Sequence, residues 1–398
     1  MTGIDRRRFL SASGGLAAGV TLPAGVLGVG LETLEVAGAV TPGTKAGNLF
    51  AAAAKDRQGR FIVVLFDPDT GREAGNVVLP ARGHDIAVRP SNGTAAAGVR
   101  REVVAFARQP GNFAVVLDDK ATRDPLWFTS RDDRHFHGHG VFSRDGRLLY
   151  TTENDFEAGI GIIGVRDATR GYTQIGEFAS GGTDPHDLKP LSDGRTVVVA
   201  NGGIKTHPAM PRRELNLSTM QPSLAYIDTV TGDLLERHEL PGALHQLSIR
   251  HLSVGAGDTV LFGCQFKGAR WQTQAIAGRH RRGTRLELLE LPGGVQLAMR
   301  NYVASVAVDR QGSTGVITAP FGGMAVFIDI ASGRYLGQQL MDNVFGVAPG
   351  KDGDGFVLTS GNGPIASVMA SDFGAASGMR AHQQSLVAAW DNHLVAVG

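Results

Sequence analysis

The strongest constraint on the fold is self-similarity. Short runs of Val, Ile, Leu, Ala and Phe are cut at regular intervals by turns such as "SRDG", "LSDG", "DRQG", "DPDTG" and "DIASG". Apolar runs of this length, bounded by Asp, Ser and Gly, read as strands rather than helices. They recur in sets of four. One set reads "GHGVFSRDG", "RLLYTTEND", "GIIGVRDATRG", "YTQIGEF"; the next reads "PHDLKPLSDG", "RTVVVANGG", "PSLAYIDTVTG", "DLLERHEL". Repeated four-stranded sets are the blades of a β-propeller. Six sets can be followed, starting with "GHDIAVRPSNG". The N-terminal segment "NLFAAAAKD", "RFIVVLFDPDTG", "NVVLP" supplies only three strands, and the C-terminal "WDNHLVAVG" supplies one. Together they complete a seventh blade, with the C-terminal strand innermost and no long sheet edge left free. The expected fold is therefore all-β, a single seven-bladed β-propeller over residues 46–398.

Alignment of the innermost strands exposes a second regularity. Side chains two apart share a face of a strand, and the apolar column runs through Ile86, Val141, Leu188, Leu247, Val306, Val347 and Val395. Two residues earlier stand His84, His139, His186, His245, Ala304, Phe345 and His393. Histidine thus fills five of seven equivalent places in a chain with only 12 histidines. His251 is the rival of His245 in the fourth blade, six residues on and on the same face. Innermost strands surround the central channel, so these imidazoles should converge near its mouth. Neutral imidazole is a good ligand for iron, copper, zinc and nickel, and neighbouring Asp85, Asp187 and Asn392 could orient the rings. The expectation is a site for a transition-metal ion, iron or copper, or for haem. The competing expectation is an architectural ring bonded to neighbouring blades.

Other groups are expected on the same face. Glu153, Asp155 and Glu157 in "TTENDFEAG" are placed in the loop after a second strand, beside His139. Glu153 and Asp155 could turn an all-nitrogen site into a mixed one, which favours iron over copper. The longest insertion, residues 201–223, carries His207, Arg212, Arg213 and Glu214 and has the length of a lid or binding loop. Arg108 ends a second strand and could bind an anionic group. Cys264 in "LFGCQF" reads as a buried thiol. No phosphate-binding glycine loop, nucleophile elbow, HExxH or CxxC is found.

The net charge is +1 and basic residues do not cluster, which argues against a nucleic-acid surface. One cysteine excludes an intramolecular disulfide. At the N-terminus, "DRRRFL" followed by a weakly apolar Gly- and Ala-rich run is similar to a twin-arginine export signal. The expected division is a signal over 1–39, cut after Ala39, a linker over 40–45, and the propeller. A periplasmic protein without a stable membrane span follows from that division.

The segments "LPARGHDIAVRP", "FHGHGVFSRDGRLLYTTENDFEAG", "PHDLKPLSDGRTVVVANGGIKTHP", "LNLSTMQPSLAYID", "LHQLSIRHLSV" and "WDNHL" resemble a bacterial family of exported, propeller-like proteins of unknown function. The resemblance spans nearly the whole chain after the signal. "PHDL" replaces the family's more usual "PHEL", one acid for another. Members are typically encoded near imelysin-like and di-haem peroxidase-like proteins in apparent iron-uptake clusters. The resemblance thus implies a periplasmic role in iron or other metal acquisition, with proteins of that system as partners. It supplies no catalytic residues. A metal-dependent enzyme of the lactonase or quinoprotein kind, and a non-catalytic docking scaffold, remain the alternatives.

Overall fold

A computed structural model of the chain describes residues 48–397, apart from 91–100, 120, 122, 211–212, 352, 354, 370–378 and 383–385. The expected signal and linker, and Arg212, lie outside the described residues. Seven antiparallel four-stranded sheets make up the structure. Six are built from consecutive strands and start with innermost strands Gly83–Val88, Arg134–Phe142, Pro185–Pro190, Leu247–Val254, Ser305–Val308 and Val344–Pro349; they are blades one to six here. The seventh joins Ala389–Ala396 to Phe50–Lys55, Phe61–Asp67 and Arg72–Val78. Phe50 pairs with Ala396 and Lys55 with Ala389. Each innermost strand packs against the next, and the seventh blade returns to the first.

Burial follows the strand sequences. Middle strands such as Thr196–Asn201 (TVVVAN) and Thr314–Ala319 (TGVITA) are buried throughout, because both of their faces meet a neighbouring blade. They accordingly read as continuous apolar runs. Outermost strands such as Leu234–Glu239 (LLERHE) carry charge on solvent-facing positions. The core is therefore a set of clusters between blades: Val104, Phe106 and Phe136 join blades one and two, and Phe327, Val344 and Phe356 join five and six. The repeated turns hold because Asp side chains accept from backbone N–H groups two to four residues on, as Asp193 does from Arg195 and Thr196 and Asp309 from Ser313.

Six of the seven innermost strands break register near their start. The shifts fall at Gly83/Ile86, Phe136/Gly140, Pro185/Asp187, Ile249/His251, Val344/Gly346 and opposite Ala52/Ala54 in the closing strand. β-Bulges re-aim side chains, and here they do so at the channel mouth.

Ring closure is anchored by Trp390. Its ring centroid lies 4.7 Å from that of Phe66, and its indole N–H donates to Gly363 O at 2.8 Å, tying the closing strand to blades six and seven. Trp390→Ala is expected to lower the unfolding free energy by about 3–5 kcal/mol, read from urea titrations. A loss under about 1 kcal/mol would mean that closure does not limit stability.

Candidate metal centre

The bulged innermost strands bring five imidazoles together at the mouth: His84, His139, His186, His251 and His393. Relative exposures run from 0% to 7%. His139 lies against all the others, with ring centroids 4.9 Å from His84, 5.1 Å from His186, 5.7 Å from His251 and 4.7 Å from His393. The remaining four form an arc, with 4.6 Å between His84 and His393, 4.7 Å between His393 and His251, and 4.8 Å between His251 and His186. Blades five and six contribute the buried Ala304 and the half-buried Phe345 to the same level.

The fourth-blade histidine is His251, and His245 is not at the site. "LPGAL" forms a 3-10 turn over Gly242–Leu244, and His245 ends it with Nδ1 3.0 Å from Gly242 O. The innermost strand runs further than its resemblance to "LPARGHDIAV" suggests. The column residue of that blade is Leu252, paired with Phe262 as Leu188 is with Val199. The bulge then sets Arg250 at the histidine level of the other blades and His251 one residue later.

Two carboxylates fix His139 from behind. Its Nδ1 is 3.0 Å from Asp85 Oδ2 and 3.4 Å from Asp187 Oδ1. Carboxylates only accept, so Nδ1 carries the proton and Nε2 faces the other rings. Asp85 comes from blade one and Asp187 from blade three, so both reach across to blade two. Asp187 also accepts from Lys189 Nζ at 2.7 Å and from Leu252 N at 3.0 Å. Burial alone would lower the His139 pKa, but Asp187 and Asp85 outweigh it and raise it above the usual value. On the rest burial prevails, although Asp187 opposes it at His251 and Asp85 and Asp187 oppose it at His393. Burial holds His84, His186 and His251 well below the ordinary imidazole range, with Arg108, Arg250 and His393 respectively adding to the effect, and it brings His393 down to about 3. These imidazoles are neutral, the form that binds metal.

The nitrogens fall into two sets. His84 and His186 are engaged by arginines: Arg108 Nη1 lies 3.2 Å from both ring nitrogens of His84, and Arg250 Nη1 lies 2.9 Å from Nδ1 of His186. His84 Nδ1 is also 3.4 Å from Asp391 Oδ1, so Asp391, rather than Asn392, orients that ring. By contrast, Nε2 of His139, Nε2 of His393 and both nitrogens of His251 are buried without a hydrogen-bond partner. These three residues form one of the groups whose candidate ligand atoms all lie within 4.8 Å of one another; His84, His139 and His186 form another. Two donors about 2.1 Å from one ion are at most about 4.2 Å apart. Three or four such donors around one ion lie closer, about 3.4–3.6 Å apart, so closing on an ion draws nitrogens that start within 4.8 Å together by up to about 1.4 Å. His139 has a single free nitrogen, so these two groups share that donor; a third group, Asp85, His139 and Asp187, lies on the Nδ1 side of the ring.

The remaining expected site residues lie elsewhere. Glu153 belongs to the strand Leu148–Asp155 rather than to a loop. It is buried between strands, where Arg166 Nη2 and Thr151 Oγ1 donate to it at 3.1 and 2.7 Å. Asp155 closes the surface turn, accepting from Ala158 N at 2.9 Å. His207 sits in the insertion, with Nε2 3.2 Å from Glu157 Oε1. Arg108 does face the site, as expected of a residue at the end of its strand. Cys264 is buried. Sequence reasoning missed Asp184 and Arg250, which bond to each other at 3.0 Å beside His186.

A seven-bladed propeller with buried imidazoles at its mouth is the class these features define. Within it, the chain belongs to the family described as "Protein of unknown function (DUF1513)", whose profile matches residues 77–397. No curated protein matches the sequence. Among solved structures the chain is similar to hydrazine synthase of Kuenenia stuttgartiensis, with a TM-score of 0.56 and 13% identity, covering 88% of this chain and 100% of that one. At that identity the likeness is one of fold. Among the described residues, no helix is long and apolar enough to cross a membrane.

The depressed imidazoles make the metal-free protein acid-sensitive. His84, His137, His186, His251 and His393 all titrate lower in the folded chain than in the unfolded one. Below about pH 6.5 the unfolded chain binds the extra protons, so stability falls as pH falls. Each such histidine contributes a slope of about 1.4 kcal/mol per pH unit between its two pKa values. The raised His139 works in the opposite sense, its contribution being lost as pH rises through its folded value. Denaturant midpoints should therefore drop steeply from pH 6 to pH 5, and His251→Gln should flatten the slope. Midpoints independent of pH over that window would show that these imidazoles are not held neutral.

Proposed function

We propose that this protein binds one transition-metal ion through His139, His251 and His393, with His84 and His186 flanking the ion, and that it holds and hands on that metal outside the cytoplasm. The observation that carries this reading is the set of buried imidazole nitrogens without partners. A buried polar group left unpaired costs about 1–3 kcal/mol, and native folds seldom keep several together without a role. One metal ion would take one such nitrogen from each of His139, His251 and His393. The Asp85–His139–Asp187 arrangement is that of a carboxylate-backed metal ligand.

The donor chemistry favours copper. Glu153 and Asp155, the acids that would have favoured iron, are engaged away from the rings, which leaves an imidazole set suited to copper. Imidazole packed against imidazole supports a bare ion over a porphyrin. Burial of all five rings supports holding over turnover, because catalytic metal sites keep a coordination position open to substrate. The "DRRRFL" segment supports export through the twin-arginine route, and a site that closes during cytosolic folding suits that route.

Elemental analysis of the protein from its native compartment, with copper, iron and zinc titrations of the stripped protein, tests this reading. The wild type should hold near one ion per chain, and His251→Ala/His393→Ala none. That pair is chosen because the Nε2 atoms involved make no hydrogen bonds to lose and the Asp85–His139–Asp187 clamp stays intact. Equal occupancy in wild type and variant would remove the triad from the site, and absence of uptake by the wild type would remove the metal.

A further inference from the structure

The rings are covered as well as buried. The insertion from blade three is tied down on three neighbouring blades. Gln109 of blade one bonds to Thr206 Oγ1, and Asn154 Nδ2 of blade two donates to Thr206 O at 3.3 Å. On blade four, Gln246 Nε2 donates to Leu217 O at 3.2 Å, and Lys267 Nζ lies 2.8 Å from Glu214 Oε1. An ion needs a way past this cover.

Three imidazoles outside the site lie between the surface and the rings. At the outer end His207 pairs with Glu157, whose side chain is 74% exposed. Phe156 packs against His207 at 5.2 Å and is stacked on His135 at 6.0 Å. His135 is 5.4 Å from His137 and is held in place, with Nδ1 3.1 Å from Phe136 O and Nε2 3.2 Å from Asn154 Nδ2; His137 is two residues from His139 on the same strand. Gly138 between them has φ +105°, a conformation that favours glycine. A Cβ there would lie 2.7 Å from His84 Cδ2. The bulge thus lets consecutive histidines of one strand serve different places.

His137 is the informative member. It is 1% exposed, and neither ring nitrogen has a hydrogen-bond partner. Its Nδ1 stands 3.3 Å from Asp184 Oδ1, a buried carboxylate that also bonds Arg250. An unpaired imidazole beside a carboxylate is a transient ligand for a cation in passage. We infer that His207 with Glu157 at the surface and His137 with Asp184 within, joined by the packed Phe156 and His135, form the access route along which the metal reaches the triad. This rests on the reading of the triad as the metal site.

The test is metal-loading kinetics on the stripped full-length protein, with Co²⁺ as the spectroscopic probe in stopped flow. His207→Ala/Glu157→Gln changes a half-buried and an exposed group at the rim of the insertion, outside the blade cores. His137→Leu interrupts the buried step. Both should slow loading by about tenfold or more, as loss of a charged, ligand-lined approach does, while final occupancy and equilibrium affinity stay those of the wild type. Wild-type rates in the surface variant would overturn the route. So would a fall in affinity as large as the fall in rate for a folded His137→Leu, which would make His137 a ligand instead. If the wild type itself takes up no Co²⁺, copper or iron, the triad reading fails, and the route fails with it for that separate reason.

Discussion

Everything at the channel mouth depends on one strand pairing, between Ala389–Ala396 and Phe50–Lys55. A four-stranded blade cannot bury both faces alone; it needs a neighbour on each side, and seven blades in a row would leave two faces and a sheet edge exposed. Pairing the chain's last strand with its first described one removes both problems. It also sets His393 beside His84, although the two are more than three hundred residues apart in sequence. The closing strand is thus both the clasp of the ring and a donor to the triad.

Closure aims seven innermost strands at one axis, and the bulges decide what each presents there. The resulting cluster is stabilised by charge placed behind it rather than within it. Asp85 and Asp187 flank His139, Asp391 backs His84, and Asp184 is bridged to His186 by Arg250. Each carboxylate sits at or near the start of an innermost strand and reaches another blade. The same contacts that stitch blade to blade fix the ring tautomers. For His139 the consequence is definite: Nδ1 is committed to the carboxylates, and Nε2 is left for the centre.

Much of this was legible in the sequence because it depends on period. Four strands per unit, Asp-and-Gly turns, and a seventh blade split between the termini all follow from repetition, and so does the column containing His84, His139, His186 and His393. The failures share one cause. Alternation by two assumes an unbroken strand, and six of the seven innermost strands contain a bulge. In blade four, a 3-10 turn and the Arg250 bulge together moved the histidine from His245 to His251. In blade two, the run "TTEND" looked like a loop because it is polar. It continues the strand, and Arg166 and Thr151 donate to Oε1 of the buried Glu153. Cross-blade partners such as Asp184 and Arg250 carry no local signal at all.

The choice between an architectural ring and a ligand set can be argued from histidines within this molecule. His280 shows what an architectural histidine looks like here. It is 2% exposed, with Nδ1 2.6 Å from Tyr226 Oη and Nε2 3.1 Å from Thr284 O, so both nitrogens are used. His251 is as deeply buried and uses neither. If the mouth cluster existed to join blades, its nitrogens would be spent on hydroxyls and carbonyls as those of His280 are. Instead the orphan nitrogens of His139, His251 and His393 face one another. Several unpaired groups at about 1–3 kcal/mol each weigh heavily against a net stability of about 5–15 kcal/mol. The candidate ligand atoms of these three residues lie within 4.8 Å of one another, a spacing at which they could hold a shared cation.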